Sequence, residues 1–191
     1  MICGIDEAGR GPLAGPVCAA AVILPDDFPK NILNDSKKLT SIRRDKARRI
    51  ICTEALAWGV GWASHTEIDR INILQASLLA MKRAFEEMMK SAAQSAALPL
   101  GENITVIVDG LYVPDICIPC TAMVKADAKV GEVMAASILA KTARDRYMDY
   151  MACLYPQYGY EKHKGYPTKA HRELVLKYGP SPIQRMSFRV G

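Results

Sequence analysis

The chain has 191 residues, half of them hydrophobic, with 25 Lys plus Arg against 20 Asp plus Glu for a formal charge of +5. That length supports one sizeable core and leaves little room for two independent domains, which commonly run to about 100–150 residues each. A near-average composition excludes a long disordered arm, and the longest apolar run, Val17 to Leu24, excludes a bilayer-crossing helix, which needs roughly 20 residues.

The basic excess fits a polyanionic partner without demanding one. Its placement says more: Arg43, Arg44, Lys46, Arg48 and Arg49 crowd one stretch, and Lys162, Lys164, Lys169, Arg172 and Lys177 crowd another. The amino-terminal segment lacks the basic-then-apolar layout of a secretory signal. The six cysteines are therefore expected as thiols in a soluble, reduced, cytoplasmic protein.

In chain order, Ile2 to Asp6 reads as a short buried strand ending at a carboxylate. Gly9, Gly11, Pro12, Gly15 and Pro16 then interrupt regular structure. Val17 to Leu24 reads as a second strand, closed by Pro25-Asp26-Asp27. Thr40 or Ser41 can cap a helix reaching about Leu56. Trp58 to Ala63 then alternates large and small residues as a strand does. Leu74, Leu78, Met81, Phe85 and Met88 form the stripe of an amphipathic helix from Ile73 to about Lys90.

Ile104 to Val108 is a further strand, ending at Asp109-Gly110, and Thr121 to Val124 leads through Lys125-Ala126 to Asp127. Val133, Ala136, Ala140, Ala143, Tyr147, Met151 and Leu154 mark a long helix, and a shorter one follows Pro167-Thr168. Hairpin-like early strands followed by strands separated by helices predict an α/β fold with a mixed sheet.

Three of these strands lead into aspartate: Asp6, Asp109 and Asp127, with Glu7 beside the first. Carboxylates gathered at strand ends repel one another, and burying one unpaired charge costs several kcal/mol, so a cation is expected between them. Hard oxygen ligands without nearby His or Cys favour Mg²⁺ or Mn²⁺ over zinc. Two such ions about 4 Å apart activate water on one side of a phosphodiester and stabilise the leaving oxygen on the other. Neighbouring side chains in a strand point to opposite faces, so Asp6 and Glu7 can act together only if the strand ends there, which Ala8-Gly9 favours. Asp before Gly is also an ordinary turn signal for any one of these residues.

The segment Gly4 to Val17, followed by Asn34-Asp35-Ser36-Lys37-Lys38-Leu39, closely resembles bacterial ribonuclease HII. The resemblance continues through Val108-Asp109-Gly110, Lys125-Ala126-Asp127, Ala135 to Lys141 with Arg144-Asp145, Pro156-Gln157-Tyr158-Gly159 and His163 to Thr168. It implies a ribonuclease H-like fold across residues 1–191 as a single catalytic domain: a five-stranded mixed sheet flanked by helices, with a carboxy-terminal helical extension over about 155–191. It also implies an endonuclease that hydrolyses the RNA strand of RNA/DNA hybrids. Such an enzyme incises 5′ of single ribonucleotides in duplex DNA by two-metal-ion catalysis, leaving 3′-hydroxyl and 5′-phosphate ends, as in ribonucleotide excision repair and DNA replication.

On this resemblance, Asp6, Glu7, Asp109 and Asp127 are the metal-binding and catalytic carboxylates. Gly9, Arg10 and Gly11 contact the ribose 2′-hydroxyl and neighbouring phosphate; glycine lets backbone approach a sugar, and the 2′-hydroxyl distinguishes RNA from DNA. Tyr166 packs on the adjoining deoxyribose. Ser36, Lys37, Lys38, Ser137, Lys141 and Lys164 are similar to the family's phosphate-contacting residues, which position a duplex without reading its sequence.

The sequence departs from the usual pattern in two places: Ala126 stands where relatives usually have glycine, and Gly131-Glu132 replaces a proline-containing turn. A monomer is expected, and no motif for a sliding clamp is visible. Cys117-Ile118-Pro119-Cys120 has the spacing of a metal or redox half-site with nothing to complete it, and Cys3, Cys18, Cys52 and Cys153 read as core. His163 and His171 read as phosphate contacts or exposed residues.

Two rival readings remain. One is ribonuclease HIII, a hybrid nuclease without a junction requirement, opposed by Arg10 where that family tends to carry lysine and by the lack of its additional amino-terminal domain. The other is a non-catalytic hybrid-binding module, opposed by the acids, which weaken phosphate binding unless metals neutralise them.

Overall fold

Strand β1 (Ile2–Ala8) is flanked on both edges, pairing antiparallel with β2 (Val17–Ile23) and parallel with β4 (Thr105–Asp109). β2 pairs antiparallel with β3 (Ala57–Ala63), and β4 pairs parallel with β5 (Cys120–Met123), giving a five-stranded mixed sheet of order β3-β2-β1-β4-β5. The computed structural model describes residues 1–33, 39–95 and 103–190, and Ser36, Lys37 and Lys38 lie outside them. The parallel pairings carry the functional consequence: the carboxyl ends of β1, β4 and β5 meet at one edge of the sheet.

Helix α1 (Ser41–Glu54) begins as its cap predicts, with Thr40 Oγ1 accepting the Arg43 N–H at 3.3 Å. Helix α2 (His65–Ser95) starts earlier than the apolar stripe suggests. Asn72 sits at φ 66 and kinks it, its side chain accepting from the N–H groups of Leu74 and Gln75 and capping the part that was expected. The preceding turns carry their own reciprocal cap: Ser64 N–H donates to Glu67 Oε2 at 2.8 Å, and Glu67 N–H to Ser64 Oγ at 3.2 Å.

The two faces of the sheet are covered separately. Cys3, Ile5, Val17, Ala19 and Ala21 face α2, whereas Ala20 and Val22 face α1 and α3 (Gly131–Leu154). The small residues of β3 have a packing reason. A methyl at Gly61 would lie 2.2 Å from the Ala80 carbonyl oxygen and one at Gly59 would lie 2.3 Å from Met88 N, so α2 rests directly on the strand backbone.

Beyond α3 the chain makes α4 (Tyr160–His163) and α5 (Lys169–Tyr178), the latter capped by Thr168. This extension packs on Ala14 and Met148 through Tyr158, Tyr160, Val175 and Ile183. His163 and His171 are buried within it, correcting their expected exposure: the rings stack at 4.3 Å between centroids, and Tyr160 meets both edge-on. His163 takes the Gly165 N–H on Nδ1, and Nδ1 of His171 meets the Tyr166 carbonyl at 3.0 Å, so the pair shapes the turn carrying Tyr166. All six cysteines are free; Cys3 and Cys18 are buried as expected, but Cys153 is exposed.

Gly4 is where α3 meets β1. A Cβ there would lie 2.2 Å from the Glu132 carbonyl carbon and 2.3 Å from Val133 N, both rigid backbone atoms. Gly4→Ala should therefore lever the helix off the strand and cost about 1–3 kcal/mol or more. Urea denaturation checks this, and an unchanged midpoint would show that the helix can move without loss.

Candidate active site

Asp6 lies near the end of β1 and faces α3, where the Ser137 hydroxyl is hydrogen-bonded to its carboxylate. Asp109 is the last residue of β4. Gly110 at φ +124 turns the chain away behind it, and Asp109 Oδ1 accepts the Ala126 N–H at 2.7 Å. That bond ties the end of β4 to the 3-10 turn Ala126–Ala128, which the left-handed Lys125 introduces and which carries Asp127. One carboxylate thereby places another. Oxygen atoms of Asp6, Asp109 and Asp127 lie within 4.8 Å of one another.

Glu7 departs from expectation. β1 does not end at Asp6 but runs through Glu7 and Ala8, which stay paired with Ala19 and Cys18. The Glu7 carboxylate lies outside the trio of aspartates within 4.8 Å of one another and meets Arg10 at 3.5 Å, while still acting electrostatically on Asp6. It still lines the same cleft, of about 430 Å³, with Asp6, Asp109, Ser137, Lys141, Tyr166 and residues 8–11.

The electrostatics suit a cation. Burial raises the Asp6 carboxyl well above its ordinary range, and Glu7 and Asp109 raise it further, against hydrogen bonds from Ser137 and from the Glu7 N–H at 2.7 Å. Glu7 is also raised by burial, opposed by Arg10. A divalent ion replaces these repulsions by attraction, and the all-oxygen donor set fits Mg²⁺ or Mn²⁺. Asp6, Asp109 and Asp127 are the residues placed to hold it.

The remaining predicted residues divide. Lys141 lines the cleft, its Nζ 2.7 Å from Asp145 Oδ1 and 5.8 Å from the Tyr166 ring centroid. Tyr166 is 39% exposed, enough for its ring to meet a ligand. Lys164 is not among the residues lining the cleft, and its ammonium ends on Asp149 and the Glu161 carbonyl.

Gly9 and Gly11 also have different reasons to be glycine. Gly9 is buried at φ +99, and a Cβ there would strike the Arg144 side chain at 2.0 Å, so its missing side chain makes room inside the protein. Gly11 is exposed, and its nearest contact for an added methyl would be Tyr166 Cε1 at 3.8 Å. Both line the cleft, and Gly11 has the more open surroundings of the two.

Two buried arginines complete the site. Arg144 of α3 donates to the carbonyls of Pro16, Lys164 and Ala14. Arg185 donates to those of Gly15, Arg10, Gly9 and Pro16. Burial and repulsion from Arg144 push the Arg185 guanidinium down to about 9, so it stays cationic at neutral pH. Arg144 lies within a recognised block of the sequence, but Arg185 sits in an aperiodic tail where nothing distinguishes it from a solvated arginine.

The chain matches the family described as Ribonuclease HII over residues 3–190. It is 56% identical to the ribonuclease HII of Treponema denticola over 195 residues, covering 100% of this chain and 98% of that protein. Its structure is similar to that of ribonuclease H2 from Pyrococcus horikoshii, with a TM-score of 0.71 at 26% identity over 99% of this chain and 94% of that one. A Bst ribonuclease HIII solved in complex with Mn²⁺ shares the fold, with a TM-score of 0.75 at 17% identity, covering 99% of this chain and 67% of that one.

Asp6→Asn is expected to stabilise the metal-free protein at neutral pH. An aspartate whose pKa is raised by folding loses stability as pH rises from its unfolded value, so the gain should fade below about pH 4. Thermal melts against pH check the sign, and a destabilised variant at neutral pH would contradict the crowding. Gly9→Ala and Gly11→Ala should separate as well: the first lowers the melting temperature, while the second leaves it within a few degrees.

Proposed function

The chain belongs to the ribonuclease HII family of endoribonucleases that hydrolyse RNA paired with DNA, and from that premise we propose that its cleft also incises duplex DNA 5′ of a single ribonucleotide. The observation that carries this reading is the convergence of three aspartates beside a cleft in which Gly11 and the Tyr166 ring face each other. The acids alone fit any metal phosphodiesterase. The glycine–tyrosine pair adds recognition of two adjacent sugars.

The family depends on divalent metal, and we assign its ligands as Asp6, Asp109 and Asp127, with Glu7 joining when substrate engages Arg10. When bound at these residues, Mg²⁺ or Mn²⁺ would activate a water and neutralise charge on the leaving oxygen, as cleavage to 3′-hydroxyl and 5′-phosphate ends requires. The Ser137 hydroxyl orients the Asp6 carboxylate. Arg10, about half exposed, can exchange its partner Glu7 for a phosphate, and the exposed backbone of Gly11 approaches the ribose 2′-hydroxyl. Lys141 stands over the Tyr166 ring where the phosphate linking the two sugars would pass. The ring itself packs on a deoxyribose and rejects a hydroxyl at that position.

We further read residues 1–191 as one catalytic unit acting as a monomer in the cytoplasm, since the carboxy-terminal extension supplies Tyr166 and closes on the opening loop. Among the described residues no helix is long and apolar enough to cross a membrane. A sliding-clamp contact is not part of this reading.

Incubation with Mg²⁺ and a DNA duplex containing one ribonucleotide should yield a single nick on its 5′ side. Asp109→Asn should lower that rate by about 100-fold or more. Tyr166→Ala should slow incision at the single ribonucleotide more than cleavage of a continuous RNA/DNA hybrid. Cleavage of the hybrid alone would reduce the reading to general ribonuclease H activity.

A further inference from the structure

The backbone from Gly9 to Pro16 leaves β1, lines the cleft through Gly9–Gly11 and returns into β2 without regular structure of its own. Its polar groups find partners elsewhere in the chain. Leu13 N–H donates to the Gly165 carbonyl, Gly15 N–H to Ile183, and Arg185 N–H to Leu13, each at 2.8 Å. The carbonyls of Gly9, Arg10 and Gly15 are held by the Arg185 guanidinium at 2.6, 3.0 and 2.8 Å, and Arg144 holds that of Ala14 at 3.2 Å. Both guanidinium groups reach the Pro16 carbonyl at 3.1 Å.

Both arginines are fully buried, and their guanidinium groups donate to backbone carbonyl oxygens. Two buried like charges are an expensive way to fasten a loop, and a planar fork gives what a single donor cannot: several carbonyls fixed in one plane at fixed separation. The same pair reaches the other recognition element. Arg144 holds the Lys164 carbonyl at 3.0 Å, and its guanidinium lies 5.7 Å from the Tyr166 ring centroid. The Gly9–Gly11 backbone and the Tyr166 turn therefore hang from one two-arginine core.

We propose that Arg185, through this core shared with Arg144, is a positioning and specificity-determining residue that sets the spacing between the ribose-reading backbone of Arg10-Gly11 and the Tyr166 ring. The inference rests on the ribose-reading role assigned above to the Gly11 backbone beside Arg10. Arg185 touches neither substrate nor metal ligand; it acts by fixing the carbonyls beside them. Loss of the fork leaves the aspartates in place and lets the sugar-reading elements drift, so chemistry at a junction suffers more than binding or general hybrid cleavage.

The test compares Arg185→Lys, which keeps the charge and loses the fork, with the unaltered enzyme on a single-ribonucleotide duplex and on a continuous hybrid. Melting temperature and amide hydrogen exchange over Gly9–Pro16 are measured in parallel. The expected result is faster exchange in that segment, kcat at the single ribonucleotide lowered by about 10–100-fold with KM changed far less, and a matching fall in preference over the hybrid. Unchanged kcat and preference in a folded variant would overturn the proposal, as would an equal loss on both substrates.

If Arg185→Lys does not fold at the assay temperature, Arg185→Ala is supplemented with methylguanidinium. Recovery of junction preference supports positioning, whereas recovery of folding without preference overturns it. Gly11→Ala, run alongside, separates the two layers. If it leaves preference intact, the ribose-reading assignment itself fails, whereas an effect of Gly11→Ala with none from Arg185→Lys removes only the arginine core.

Discussion

Negative charge forced together at one edge of a sheet is the constraint from which this structure follows. Parallel pairing of β1 with β4 and of β4 with β5 brings three strand ends to the same side. Each end delivers an aspartate, the third through a turn fastened to the second by the Asp109–Ala126 hydrogen bond. Such a cluster is unfavourable in isolation: burial, and then the charges of Glu7 and Asp109, raise the Asp6 carboxyl. The protein tolerates it because the rest of the sheet is over-determined: glycines at 4, 59 and 61 let helices lie directly on the strands, leaving little freedom for the acids to separate. The same repulsion that costs stability gives the site its affinity for a divalent cation.

The opposite problem is solved a few ångströms away. Arg144 and Arg185 are cations buried with hardly any carboxylate help, compensated by backbone dipoles of the segment they hold. An irregular loop over an active site has carbonyls that must find donors, and here the donors come from a helix and from the tail of the chain. The loop is thereby a joint between the sheet and the carboxy-terminal extension.

Much of this was legible from residue patterns. Asp6, Asp109 and Asp127 were recognisable because apolar runs lead to each of them, and the strands and long helices fall close to the expected ranges. The end of β1 was expected too early because Ala8-Gly9 reads as a strand end, whereas pairing with β2 carries the strand one residue past Glu7. The first turns of α2 were missed although Ser64 and Glu67 spell a capping box, because Asn72 breaks the apolar period at the kink. His163 and His171 stand among lysines and read as exposed; only the packing of the extension shows that they stack inside it. Arg185 and the pairing of Lys164 with Asp149 depend on contacts between distant segments, which local pattern does not encode.

The opening segment shows most clearly why geometry was needed. Gly9 and Gly11 flank the same arginine and invite the same explanation, that bare backbone must approach a sugar. Their surroundings assign them different work. Gly9 yields its space to Arg144 and adopts a conformation that L-residues rarely take, so it belongs to the scaffold. Gly11 faces open cleft opposite Tyr166, where a ligand can approach its backbone. Arg10 stands between, its carbonyl locked by Arg185 and its side chain weakly engaged with Glu7. A rigid backbone with an exchangeable guanidinium is what reading a phosphate and its neighbouring hydroxyl requires: the backbone is already in place before the ligand arrives, and only the side chain has to change partner.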